Sequence, residues 1–477
     1  MKHIILSLLA VFFSLHLAAQ STQQKNDSVS QIVVNYMNVQ EAANIYPMLN
    51  EAFRRAVSLD TLVAGAKRIY VMGKMQMKFE SYTNGMNKYK AIFPRDSLSY
   101  GIALDSAGKI ATLFFDTYFD DYKKKSLVFT NNRLSTKLDK LVDSASRPYA
   151  SLEVNCGLSI GIIKDGKTYF YEYGETKRGN KQLPNEHTLY EIGSITKTFT
   201  ATLLADAVNS GKINLDDPVN KYLPDSIPPI QYEGVPATIK MLANHTSGIP
   251  RMPTNFDATV TDQANPYSNY DVNHLYSFFK NLKLTRRPAT AYEYSNAALA
   301  ALGVILENLY QKSFEALVTE KILKPLGMNE TMQFIHEKDS ARVAAGYGFQ
   351  GKYNGPWNEK VFASTGALRS TAADMLRYAQ ANISCNDPLI NKDIQLTHTL
   401  TWDKSPRVGL VWELPINSTS HFGCLTHGGA TGGYTSNIRI CPEKQLAIIV
   451  LSNSNAQGFT VAQISQAIMI GMLNEKL

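Results

Sequence analysis

From residue 134 onward, apolar positions along the chain switch between two periods. Leu134, Leu138 and Leu141 in LSTKLDKLVDS fall on one face of an amphipathic helix. Two apolar runs follow at 158–163 and 167–173, joined by Asp165-Gly166, which reads as a hairpin with a tight turn. The middle is helical. One helix runs to Asn209 and is closed by GKINLDDPVNKYLPD, and IKMLANHTSGIP is a helix entering a tight turn. Further helices are predicted from about Asn296 to 306, over 314–328 and over 366–380. Strands return at 420–426, 434–440 and 446–451, with a turn over 428–433 between the first two, before a last helix over 460–473. The pattern predicts an α+β domain over 131–477. Its sheet comes from the two ends of the segment, with a helical cluster inserted between them. A crevice between two such parts is a common ligand site.

The preceding residues read differently. After a polar stretch over 21–30, expected to be a flexible lead-in, 33–46 and 45–56 have helical spacing, and 61–69 suits a further helix. From Gly73 apolar and polar residues alternate in MQMKFESYT, KYKAIFP, SLSYGIALDS and KIATLFFDTY, with turn residues such as Asn84-Gly85 between them. Helices followed by an antiparallel meander predict a small α+β domain over 21–130. Its order resembles the cone-shaped nuclear-transport-factor-2-like class. It carries no catalytic constellation, so a packing or binding role is expected. Residues 119–130, with a lysine run, are expected to form a linker.

Met1 to Gln20 has a basic start, an apolar run from Ile4 to Leu17 and small residues at Ala18 and Ala19. That is the form of a secretory signal peptide, shorter than a comfortable membrane span; an uncleaved anchor is the rival reading. Composition adds little: a formal net charge of +7, with scattered basic residues, offers no nucleic-acid stripe. The four cysteines lack metal-ligand spacing. Export permits disulfides, and Cys424 and Cys441 could flank one hairpin, though buried free thiols fit equally. No phosphate-cradling loop and no acidic or histidine cluster is present, so neither cofactor nor metal is expected.

The chemistry concentrates at 191–201, EIGSITKTFTA. Ser194 and Lys197 lie one helical turn apart, on one face. A serine hydroxyl needs a base to become a nucleophile, and a desolvated lysine can serve as one. Alone, the spacing is equally that of a capping serine and a surface lysine.

Two further motifs follow in order, Tyr294-Ser295-Asn296 and His427-Gly428-Gly429, with LDDPVNKYLP, LANHTSGIP, ILKPLGMNET and STGALRSTAADM between and after them. On these residues 134–477 resembles the serine β-lactamase and penicillin-binding-protein superfamily, on its class C side. The resemblance implies an acyl-enzyme on Ser194 with Lys197 as base and Tyr294 as proton shuttle. A neighbouring cation is expected to favour ionised Tyr294. Asn296 is expected to bridge Lys197 and a substrate amide, or to cap the following helix. The backbone N–H groups of Ser194 and Ala430 are expected to stabilise an oxyanion. Gly428 and Gly429 let the strand approach a substrate.

Two positions depart from the family pattern. His427 stands where many members have lysine. A largely neutral ring is expected to donate a hydrogen bond rather than pair with a carboxylate, as in esterase and D-aminopeptidase relatives. Pro288-Ala289 stands where proline-glycine is usual. His245, in HTSG, is read as part of a structural turn. The resemblance implies an exported, periplasmic serine hydrolase acting on an amide or ester, such as a peptidoglycan-derived D-amino-acid peptide. A true β-lactamase, or a binder that acylates and stalls, are the alternatives.

Overall fold

Asp165 and Gly166 both have positive φ, 52° and 69°. That is the left-handed pair a two-residue hairpin turn requires, and the strands it joins, Gly157–Lys164 and Lys167–Gly174, form one edge of a seven-stranded antiparallel sheet. From the other edge the strands run Arg407–Val408, Glu413–Leu414, Leu425–Ala430, Thr435–Cys441 and Leu446–Ser452, then Gly157–Lys164 and Lys167–Gly174. The sheet is therefore built from the first and last parts of the segment, and the helices between fill the middle.

Alternation along the strands divides the core. Ile160, Ile162, Ile448 and Val450 face Leu138 and Val142 of the helix Lys137–Ala150 and Val461 and Ile464 of the helix Thr460–Asn474. Ile449 and Leu451 face the opposite way, into the helical cluster with Phe199 and Leu376.

The computed structural model describes residues 22–474 apart from 71, 84, 95–96, 118–123, 349–350, 416–423 and 457–459. The leader assigned to 1–20 lies outside the described residues. The chain divides into two compact units at Tyr122 and Lys123. In the first, a helix over 22–38 and the helices Glu51–Ala56 and Leu59–Tyr70 precede four antiparallel strands in chain order: Gln76–Thr83, Met86–Ile92, Ser97–Leu104 and Ile110–Thr117. Val33, Val34, Ile45 and Leu49 pack against Tyr89, Tyr100 and Ile102.

The stretch expected to be a flexible lead-in is helical from residue 22. Its polar residues dock it: Asn26 Nδ2 donates to the Gly85 carbonyl at 2.8 Å and the Tyr89 hydroxyl to Asp27 at 2.9 Å. Apolar periodicity has no view of such contacts. The expected linker also differs where it is described, because Lys125 Nζ donates to the carbonyls of Ala150 (3.1 Å) and Asn155 (2.6 Å) within the second unit. Cys424 and Cys441 form a disulfide, while Cys156 and Cys385 are free.

Candidate active site

The helix Thr196–Asn209 is buried on nearly every side, although it carries Lys197 and four threonines. Its threonines satisfy themselves internally or on neighbours: Thr200 Oγ1 donates to the Ser364 carbonyl at 2.7 Å and Thr198 Oγ1 to that of Ile195 at 2.8 Å. A single 3-10 turn, Gly193–Ile195, leads into it. Gly193 has φ +50°, and a Cβ there would stand 2.6 Å from the Ala430 nitrogen. Only glycine lets this turn lie against the Leu425–Ala430 strand. Ser194 is thereby half-buried, in the first turn where N–H groups have no intrahelical acceptor.

Lys197 Nζ donates to Ser194 Oγ at 2.9 Å and to the Thr365 carbonyl at 2.7 Å. The lysine is 1% exposed. Burial depresses its pKa, nearby Arg251 depresses it further, and Glu359 acts in the opposite direction. A lysine poised to lose its proton, hydrogen-bonded to a serine, has the geometry of a base and its nucleophile.

Tyr294 lies beside this pair, with Lys197 Nζ 5.1 Å from its ring centroid. Burial raises its hydroxyl to about 12, opposed by a hydrogen bond with Ser194 and by Arg251. The expected ionised tyrosine is therefore corrected: desolvation outweighs the cations, and Tyr294 stands as a neutral phenol. His245 backs it, ring centroids 4.3 Å apart. Its Nδ1 accepts from the Ser295 N–H at 3.1 Å and its φ is +61°, so the HTSG turn is structural and holds Tyr294. Ala289, also at φ +61°, occupies a left-handed position that suits the glycine usual in the family. Its N–H donates to the Thr246 carbonyl at 2.8 Å.

Asn296 begins the helix Asn296–Tyr310, but the cap is Ser295, whose side chain accepts from Ala298 N. Asn296 Nδ2 lies 3.5 Å from Met252 Sδ, and its buried Oδ1 has no partner among the described residues. Neither expected role, cap or bridge to Lys197, is made here. Asn296 lines the cavity, with its amide oxygen buried.

His427 lies within the Leu425–Ala430 strand rather than ahead of it. It is 5% exposed, and burial with Lys197 nearby lowers its pKa to about 3. Its Nδ1 is 2.8 Å from the Gly428 carbonyl. A carbonyl only accepts, so Nδ1 carries the proton and Nε2 of the neutral ring is an acceptor. The expectation that His427 donates to a substrate is thus reversed. Gly429 is also corrected. A Cβ there would be 2.0 Å from the Ile192 carbonyl and 2.4 Å from Ser436 Oγ, so it seats the nucleophile turn instead of admitting a substrate. Gly428 and Ala430 line the cavity.

The cavity has a volume of about 550 Å³ and also exposes Arg251, Trp357 and Glu359, none of which the motifs mark. Glu359 is 5% exposed; burial and Glu191 raise its pKa while Lys197 opposes the rise. Gly366 makes room for it, since a Cβ there would meet Glu359 Oε1 at 2.7 Å. Glu191, inside EIGSITKTFTA, pairs with Arg369 at 2.9 Å in the interior and accepts from Trp357 N at 2.9 Å. That pair ties the nucleophile turn to the Glu359 loop. Among the described residues, no group of three or more His, Cys, Asp or Glu could hold a metal ion.

Residues 153–469 match the model of the Beta-lactamase family. The chain belongs to that family. It is a serine hydrolase of the β-lactamase and penicillin-binding-protein superfamily. A β-lactamase of Pseudomonas fluorescens is 25% identical over 371 residues, covering 71% of this chain and 99% of the relative. The D-alanyl-D-alanine-carboxypeptidase/endopeptidase AmpH of Escherichia coli K12 is 28% identical, covering 62% and 80% respectively. A solved class C β-lactamase superposes with a TM-score of 0.63 at 24% identity, over 72% of this chain and 99% of that one, which shows the fold.

Proposed function

We propose that this β-lactamase-family hydrolase cleaves an amide or ester bond through an acyl-enzyme on Ser194. The observation that carries the reading is the hydrogen bond from buried Lys197 to Ser194 Oγ. Lys197, once neutral, takes the serine proton as Oγ attacks the acyl carbon. Neutral Tyr294 beside both passes that proton to the leaving group. The Ser194 and Ala430 N–H groups, which Gly193 brings together, receive the oxyanion. His427 Nε2 is an acceptor at the cavity, which Asn296 also lines, suited to an N–H or O–H group of a substrate. A peptide amide offers such a donor, which favours a peptidoglycan-related D-amino-acid peptide; the AmpH relative is named a D-alanyl-D-alanine-carboxypeptidase/endopeptidase. β-Lactam turnover is the second reading, favoured by the names of the β-lactamase relatives. The disulfide Cys424–Cys441 supports export to an oxidising compartment, such as the periplasm.

A panel of small esters, D-alanyl peptides and β-lactams, assayed with wild type and Ser194→Ala, tests this. Turnover of at least one class, lost in the variant, is the expected result. Full activity in Ser194→Ala contradicts it.

A further inference from the structure

The third motif places no cation at the cavity, since the His427 ring is neutral and buried. Of the other cations there, Lys197 is committed to Ser194 and Thr365. Arg439 donates from Nε to Ser465 Oγ at 3.1 Å, with the Glu413 carboxylate beside it. Arg251 differs from both. Its residue is exposed, it lines the cavity, and its guanidinium lies 5.1 Å from the Tyr294 ring centroid. Among the described residues its guanidinium makes no hydrogen bond and no ion pair.

Its backbone, by contrast, is fixed. The Arg251 carbonyl accepts from the N–H groups of Asn296 (2.9 Å) and Ala297 (3.2 Å) at the start of the helix Asn296–Tyr310. A guanidinium resting on an aromatic ring keeps its in-plane N–H groups available, and those match a carboxylate bidentately. From this we infer that Arg251 is the carboxylate-recognising cation of the cavity, taking the part that a lysine at position 427 would have played.

The geometry also bounds where that carboxylate sits. Lys197 Nζ and the Arg251 guanidinium carbon are both 5.1 Å from the Tyr294 centroid, so they stand no farther apart than twice that. Ser194 Oγ lies 2.9 Å from Lys197 Nζ, so one substrate within the cavity can reach both Ser194 and Arg251. Glu359 and Glu413 line the same cavity. Glu359 sits against Gly366 and Glu413 acts on Arg439, so neither neutralises Arg251.

This rests on the acyl-enzyme reading, and one experiment separates the two. A fluorophosphonate labels Ser194 in the full chain, and protection is titrated with N-acetyl-D-alanyl-D-alanine and with its C-terminal carboxamide. In wild type the carboxylate is expected to protect at a concentration roughly tenfold or more below the carboxamide, as a charge-assisted bidentate contact implies. Arg251→Gln erases that preference, and Arg251→Lys restores part of it. Equal protection by both compounds in wild type, including protection by neither, overturns the inference. So does a preference that survives in Arg251→Gln. Absence of Ser194 labelling in wild type removes the acyl-enzyme itself, and the inference with it.

Discussion

Lys197 can act as a base only because its charge is poorly tolerated where it sits. Its surroundings remove water and place Arg251 near it, and both lower its pKa. Activity must therefore rise with pH along a limb well below the ordinary lysine value of about 10.4. A kcat/KM profile with its acid limb at that ordinary value contradicts the assignment. Glu359 acts the other way, holding the ammonium in place. Glu359→Gln is thus expected to move the limb to still lower pH, and a limb that stays or moves upward contradicts that role. Glu172 permits a separate test. It is 2% exposed, neither carboxyl oxygen has a hydrogen-bond partner among the described residues, and burial raises its pKa well above the usual range. A raised folded pKa gives stability that is full below the unfolded value and is lost as pH climbs through the folded one. Glu172→Gln should then gain thermal stability over wild type at pH 8 relative to pH 4; an unchanged difference in Tm excludes the neutral buried carboxyl. None of this was legible in the sequence. Ser194, Lys197 and Tyr294 were marked by motif, but Arg251, Glu359 and the tautomer of His427 follow from burial and neighbours that only folding creates.

The Gly193–Ile195 turn and the Leu425–Ala430 strand make contact through two glycines. A Cβ at Gly193 or Gly429 would collide with backbone on the other element. Gly429→Ala needs no unusual φ, so its effect isolates the collision. It should lower acylation of Ser194 at least tenfold, on the scale of a misplaced reacting group, and an alanine variant with wild-type acylation removes the argument. The hairpin at Asp165-Gly166, the helix from Asn296 and the terminal strands were all readable, because local turn chemistry and periodicity specify them. The entry helix over 22–38 was misread at its start because polar hydrogen bonds to distant residues hold it. The cap on the Asn296 helix was placed one residue late, since Ser295 and Asn296 are both competent caps and only the fold chooses between them.

The two units have separate cores. Among the described residues, Val33, Ile45 and Tyr100 belong to the first, and the three clusters of the second are built from its own residues. Calorimetry of the chain from residue 21 should show two transitions; one cooperative transition contradicts independent cores. The order of elements in the second unit was legible because each strand and helix carries its own period. The cavity was not, because it arises where residues 251, 359 and 427 converge from distant parts of the chain. The central claim is that this convergence makes Ser194 a nucleophile driven by Lys197. Peptide mapping by mass spectrometry after fluorophosphonate treatment tests it most directly. One adduct is expected, on Ser194, formed by wild type and lost in Lys197→Ala; no adduct on Ser194, or equal labelling in Lys197→Ala, contradicts that role for Lys197.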